Sequence, residues 1–184
     1  MTALAGPGPV FATLARLFAR IAAMAVNLPA PQFLHAVPGV ALGVAQAAIK
    51  TAGRDDLLVF ALDHGAQVAG VFTRNAFCAA PVTLCRQRLG RANDIRALLV
   101  NAGNANAATG QGGMDDAIAT CTTVAAELDC APEAVLPFST GVIGQRLPVA
   151  RMQAAIPGAV AAARPDDWQA AIRAIMTTDT GPQG

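Results

Sequence analysis

The sequence predicts an α/β fold, with mixed or largely antiparallel strands and helices packed on the sheet. Three observations carry that expectation. Apolar runs of strand length at 57–62, 95–100 and 135–138 are bounded by glycine, proline, asparagine and aspartate. The stretch from Met114 to Leu128 has the length and composition of a helix, and a second helical pattern opens at Pro165. The 184 residues are 54% hydrophobic and 14% charged, enough to bury one sizeable core.

Residues 1–23 contain no acidic residue and carry Arg16 and Arg20 four apart, ahead of a second methionine at Met24. The arginines interrupt the apolar run, which fits a secretory signal poorly, and the missing serines fit a transit peptide poorly. The run is also too short and too charged to span a bilayer. We expect an N-terminal extension or mis-called start, with the working chain covering 24–184; a short amphipathic surface helix is the alternative. From Asn27 to Gly43, Pro29, Pro31, Pro38 and Gly39 predict an extended path over the surface before pairing, with His35 structural.

The next segments read as strands. Leu57–Leu62 and Gln67–Thr73, joined by Asp63, His64 and Gly65, have the alternation of a β-hairpin. His64 sits in the turn, beside no carboxylate except Asp63, so its expected role is structural. Pro81–Arg86 and Ile95–Val100 read as two more strands, the second a run that is apolar apart from Arg96 and is expected to be buried on both faces. It leads into a loop with Asn101, Asn104 and Asn106, whose amides must be satisfied if buried and can either brace local backbone or orient a polar substrate. Gly110, Gly112 and Gly113 precede the 114–128 helix, with Asp115 and Asp116 in its first turn, where the dipole favours them. The loop matches neither of the glycine-rich phosphate-binding patterns.

Val135–Phe138 then reads as a strand delivering Ser139, Thr140 and Gly141. Ser139 is the only serine, and Gly141 and Gly144 permit positive φ or a close approach of backbone amides to a ligand. Such amides can form an oxyanion hole, or the stretch is a plain strand-to-loop turn. Pro148–Ala163 is the next helix, with Pro157 and Gly158 as a break point. In the helix opening at Pro165, Trp168, Ala171, Ile172 and Ile175 form one apolar stripe with Trp168 as a core anchor. Met176 to Thr180 supplies three threonines and a carboxylate, either solvated helix-end residues or holders of a polar ligand.

Composition excludes several classes. A net charge of +1, no basic run and few aromatics leave no electrostatic footprint for nucleic acid. Cys78, Cys85, Cys121 and Cys130 show no paired spacing and stand apart from the two histidines, so neither a zinc site nor a disulfide framework is expected; buried thiols in a reducing, cytoplasmic setting are. No membrane partner is expected.

The stretches MAVNLPAPQ, GVFTRNAFCAAPV, NAGNANAATG, PFSTGVIG and IMTTDT occur in this order. Together they resemble the ornithine acetyltransferase family, also called bifunctional glutamate N-acetyltransferase and amino-acid acetyltransferase, over residues 24 to about 180. The resemblance implies the α-chain portion of an α-β-β-α layered protein, completed by a β chain. It implies arginine biosynthesis, with acetyl moving from N-acetylornithine to glutamate through an acetyl-enzyme on the β chain's new N-terminal threonine, produced by autocatalytic cleavage. The family's oxyanion-hole pair falls on Thr140 and Gly141. The substrate-contacting stretch falls on Thr180, with Thr178 second, and Asn101, Asn104 and Asn106 shape the pocket. No cofactor is bound, and acetyl-coenzyme A is allowed as a co-substrate. The expected assembly is an α2β2 heterotetramer with the β chain. The chain departs from the pattern after TTDT, where the family continues to a lysine and the nucleophile. That departure implies a chain truncated before the autocleavage site or a split subunit, and the alternative reading is an inactive fragment or small-molecule-binding or oligomerisation module.

Overall fold

The computed structural model describes residues 33–91 and 94–177, which fall within one compact unit. Four strands form a mixed sheet in the order β1 (Val40–Ala45), β2 (Leu57–Leu62), β3 (Ala97–Asn104), β4 (Val135–Val142). β1 and β2 are antiparallel, as are β2 and β3, whereas β3 and β4 run parallel. A parallel pair needs a long crossover, and helix α2 (Gly110–Glu127) provides it. Helices α1 (Ala80–Leu89), α3 (Val149–Ala161) and α4 (Trp168–Ile175) complete the unit. The mixed α/β expectation holds.

Alternation along the strands divides the core. Leu57, Val59, Ala97, Leu99 and Val135 face Cys121 and Val124 of α2 and Met152, Ile156 and Ala159 of α3. Gly43 lies under α3 so closely that a Cβ there would overlap the Ala159 carbonyl. On the other face, Leu42 and Leu58 pack with Ala171 and Ala174 of α4. Trp168 joins this cluster as the expected anchor, its ring edge-on to Phe60 at 6.2 Å. Farther along that face, Leu62, Ile95 and Leu136 meet Cys85 of α1, and Val68 and Phe72 pack at the margin.

Several local expectations are corrected. Gln67–Thr73 is not a strand: β1 occupies the place beside β2, and Arg86 of α1 ties the segment down by donating to the Thr73 carbonyl (2.7 Å) and lying over the Phe72 ring (5.5 Å). Pro81–Arg86 is helical. Pro81 sits in the first turn, where its missing N–H costs nothing, and Ala80, Pro81, Leu84, Cys85 and Arg88 form the buried face. The strand expected at 95–100 begins at Ala97 and continues through Asn101 to Asn104, and the one expected at 135–138 continues to Val142. Helix α2 starts earlier than expected, at Gly110, so Asp115 and Asp116 fall beyond its first turn. Pro157 lies inside an unbroken α3; the carbonyl it leaves without a helical donor belongs to Gln153, on the exposed side. The expectations for residues 1–23 and for Thr178 and Thr180 lie outside the described residues.

Candidate active site

The C-terminal ends of β3 and β4 run side by side, with Asn101 opposite Ser139, Ala102 opposite Thr140, Gly103 opposite Gly141 and Asn104 opposite Val142. Two glycines in register make this possible. Gly103 has φ 115° and Gly141 φ 133°, conformations an L side chain rarely adopts. A Cβ on Gly141 would overlap the Gly103 carbonyl and lie 2.5 Å from the Asn104 nitrogen.

Thr140 and Gly141 open into a cleft of about 400 Å³, together with Ala102, Gly103 and Val142. The expected pair is therefore brought together in a concavity, not left in an isolated turn; both residues belong to β4 itself. Thr177 lines the same cleft, so the start of the threonine-rich stretch reaches the site. Lys50, Thr51, Arg54 and Asp56 supply its remaining polar wall.

The three asparagines brace this wall by bonding backbone. Asn101 donates to the Asn104 carbonyl (2.8 Å) and accepts from the Ser139 hydroxyl (2.6 Å), a cross-strand link between register partners. Ser139 thus has its proton on an amide oxygen, which is no general base. Asn104 donates to the carbonyls of Gln145 and Arg146 (both 3.1 Å) and accepts from the Asn106 N–H (2.7 Å). Asn106, fully buried at φ 45°, donates to the Gly113 carbonyl (2.8 Å) and accepts from the Thr109 hydroxyl (2.7 Å). Asparagine tolerates that left-handed conformation better than most side chains. The amides thus tie β3, the start of α2 and the segment after β4 into one frame. Arg146 extends that frame by binding both oxygens of Asp116 (2.5 and 2.7 Å), an interaction that raises the arginine's pKa above its usual value.

Sequence reasoning missed Lys50, Arg54 and Asp56. Lys50 is the only lysine among thirteen cationic residues, the one signal that could have drawn attention to it, but nothing in the sequence shows that its loop folds onto Gly103. His64, by contrast, finds a carboxylate in Asp94 (2.9 Å), with Arg96 on its Nε2 (2.6 Å). The Gly65 amide, then His64, hold the Asp94 carboxyl below the usual carboxylate range. This surface group is not part of the cleft lining.

Among the described residues no cluster of three or more His, Cys, Asp or Glu could hold a metal ion, and no helix is long and apolar enough to cross a membrane.

Known proteins share this fold. The ornithine acetyltransferase of Mycobacterium tuberculosis, solved with ornithine, is similar at 37% identity and a TM-score of 0.74, over 79% of this chain and 79% of that chain. The arginine biosynthesis bifunctional protein argJ of Bacillus halodurans is similar at 31% identity and a TM-score of 0.66, over 78% of this chain and 75% of that one. The ArgJ family profile matches residues 41–184, a span that includes the β3–β4 cleft, and the chain belongs to the ArgJ family.

Proposed function

We propose that this chain is the α-like part of an acetyltransferase of arginine biosynthesis that moves acetyl from N-acetylornithine to glutamate. Family membership and the likeness to an ornithine acetyltransferase support the acetyl-transfer reading. The observation that carries it to particular residues is the cleft that presents Thr140 and Gly141 together at the ends of two parallel strands.

In this reading the nucleophile is the N-terminal threonine of a β chain released by autocatalytic cleavage. Its hydroxyl oxygen attacks the acetyl carbonyl of N-acetylornithine while its proton passes to the neighbouring N-terminal amine. The negative charge that develops on the carbonyl oxygen is met by the Thr140 hydroxyl and the backbone at Gly141. Collapse breaks the C–N bond, returns the proton to the leaving amine of ornithine and leaves an acetyl ester on the threonine. The glutamate amine attacks that ester through the same geometry, giving N-acetylglutamate and the free hydroxyl. The chemistry requires no metal or bound cofactor, and acetyl-coenzyme A can enter as a second acyl donor to the same ester. Donors fixed in advance are effective because they need not reorganise as the charge appears, and the asparagine frame supplies that rigidity.

The reading assigns Thr178 and Thr180, beyond Thr177 at the cleft wall, to substrate contact. It also assigns the chain to an α2β2 assembly in the cytoplasm. Production of this chain with a β segment bearing an N-terminal threonine tests it. Acetyl transfer from N-acetylornithine to glutamate by the assembled pair is expected, whereas a formed complex without transfer would leave only a non-catalytic binding module.

A further inference from the structure

We propose that Asp116 is a positioning residue for the oxyanion pair: acting through Arg146, it fixes the chain that leaves β4 and so sets where the Thr140 hydroxyl and the Gly141 backbone point; this rests on the acetyltransferase reading above.

The position of Gly141 depends on the chain at both of its ends. Ahead of it, β4 is registered on β3. Behind it, the chain turns at Gly144 (φ 81°) and has to be fastened there. Two backbone bonds hold the first half of this segment. The Ala105 N–H donates to the Val142 carbonyl (2.9 Å), and the Gly144 N–H to the Ala107 carbonyl (2.8 Å). Asn104 holds the second half through the carbonyls of Gln145 and Arg146. All these partners lie on β3 or in the loop after it, so they move with the strand against which Gly141 is aligned. An anchor outside that segment has to come from another element.

Asp116 supplies it. The residue belongs to α2, the crossover between the two strands, and is 8% exposed. Arg146 Nε and Nη2 donate to different Asp116 oxygens, at 2.5 and 2.7 Å, a fork that fixes direction as well as distance. Gly112 leaves the space in which the guanidinium lies, since a Cβ there would run into it. Neither Asp116 nor Arg146 lines the cleft, so their effect on the reaction passes through the chain between Arg146 and Gly141.

The chemistry of the pair favours placement over stability. A buried carboxylate is tolerated only when paired, and an apolar side chain at that position would carry no such cost. The Arg146 side chain is 60% exposed, so its stem adds little burial in return. What a bidentate arginine–carboxylate contact adds is a single geometry. Oxyanion donors need that geometry, because they work by being aimed before the charge appears.

The test uses the assembled enzyme, with acetyl transfer from N-acetylornithine to glutamate measured below the melting temperature of every variant. Arg146→Met and Asp116→Asn should each lower kcat by about ten- to a hundredfold, the effect of a small misplacement at the reacting centre. KM should stay within about twofold, since the donors meet the developing charge and not the bound ground state. Arg146→Lys keeps the charge on an exposed side chain but loses the fork. It should fold and fall between, and it decides the matter where a harsher variant does not fold. Combining Asp116→Asn with Arg146→Met should cost no more kcat than the worse single change, as for two groups acting as one unit. A merely structural pair would lower the melting temperature and leave kcat per folded enzyme unchanged. That result, or a loss confined to KM, overturns this inference and leaves the acetyltransferase reading intact. A wild-type assembly that transfers no acetyl overturns both.

Discussion

Gly103 and Gly141 stand opposite each other across the only parallel strand pair among the described residues, both with positive φ. A methyl group on Gly141 has no free space, since it would enter the Gly103 carbonyl group. The pair brings the two strand backbones together, and Lys50 packs against its Gly103 member.

Gly141→Ala should therefore destabilise the chain through conformation and overlap at once, by at least about 1–3 kcal/mol. Gly53→Ala is the control: Gly53 has φ 81° but nothing near the position of a Cβ, so only the conformational cost, about 1 kcal/mol, applies. Urea denaturation of the two variants should rank them in that order; equal midpoints would mean that the β3–β4 approach is looser than described.

Asn106→Ala should cost about 1–3 kcal/mol, because it leaves the Gly113 carbonyl without its donor and the Thr109 hydroxyl without its acceptor in a buried setting. Asn106→Asp should be no better, since a carboxylate cannot donate to the Gly113 carbonyl. Thermal unfolding monitored by circular dichroism checks both; a melting temperature unchanged in Asn106→Ala would remove the asparagine frame from the account.

Much of the fold was legible because its signals are local. The apolar run at β2, the starts of β3 and β4, and the helices α2 and α4 all follow from periodicity and length. Helix α1 was not, because Val82 and Thr83 favour a strand and the run alternates. What decides it is tertiary: Arg88 is buried and donates to the Val135 carbonyl, and the Cys85 thiol donates to the Pro137 carbonyl at 3.1 Å. The glycine and threonine residues of the site were legible in kind, since Gly141 signals special backbone. That Gly141 lies against Gly103, and Lys50 against Gly103, depends on contacts between segments far apart in sequence, which no local pattern records.

Cys85 gives a pH prediction. Burial, and after it the neighbouring Cys121, push its thiol up to about 11 from 9.0. The folded chain holds this proton more tightly than the unfolded chain, so the stabilisation is complete below pH 9 and is lost as pH rises from about 9 through 11. Urea midpoints between pH 8 and 10.5 should fall more steeply in the wild type than in Cys85→Ala; parallel slopes would contradict the burial of this thiol.

The most direct measurement is the turnover of Thr140→Ala in the assembled enzyme. Loss of one oxyanion donor should lower kcat for transfer from N-acetylornithine to glutamate by about 10²–10³-fold. KM should change far less, because the interaction is made with the developing charge and not with the bound ground state. A kcat within a few fold of wild type, with the loss confined to KM, would show that Thr140 only lines a binding cleft and would contradict the account.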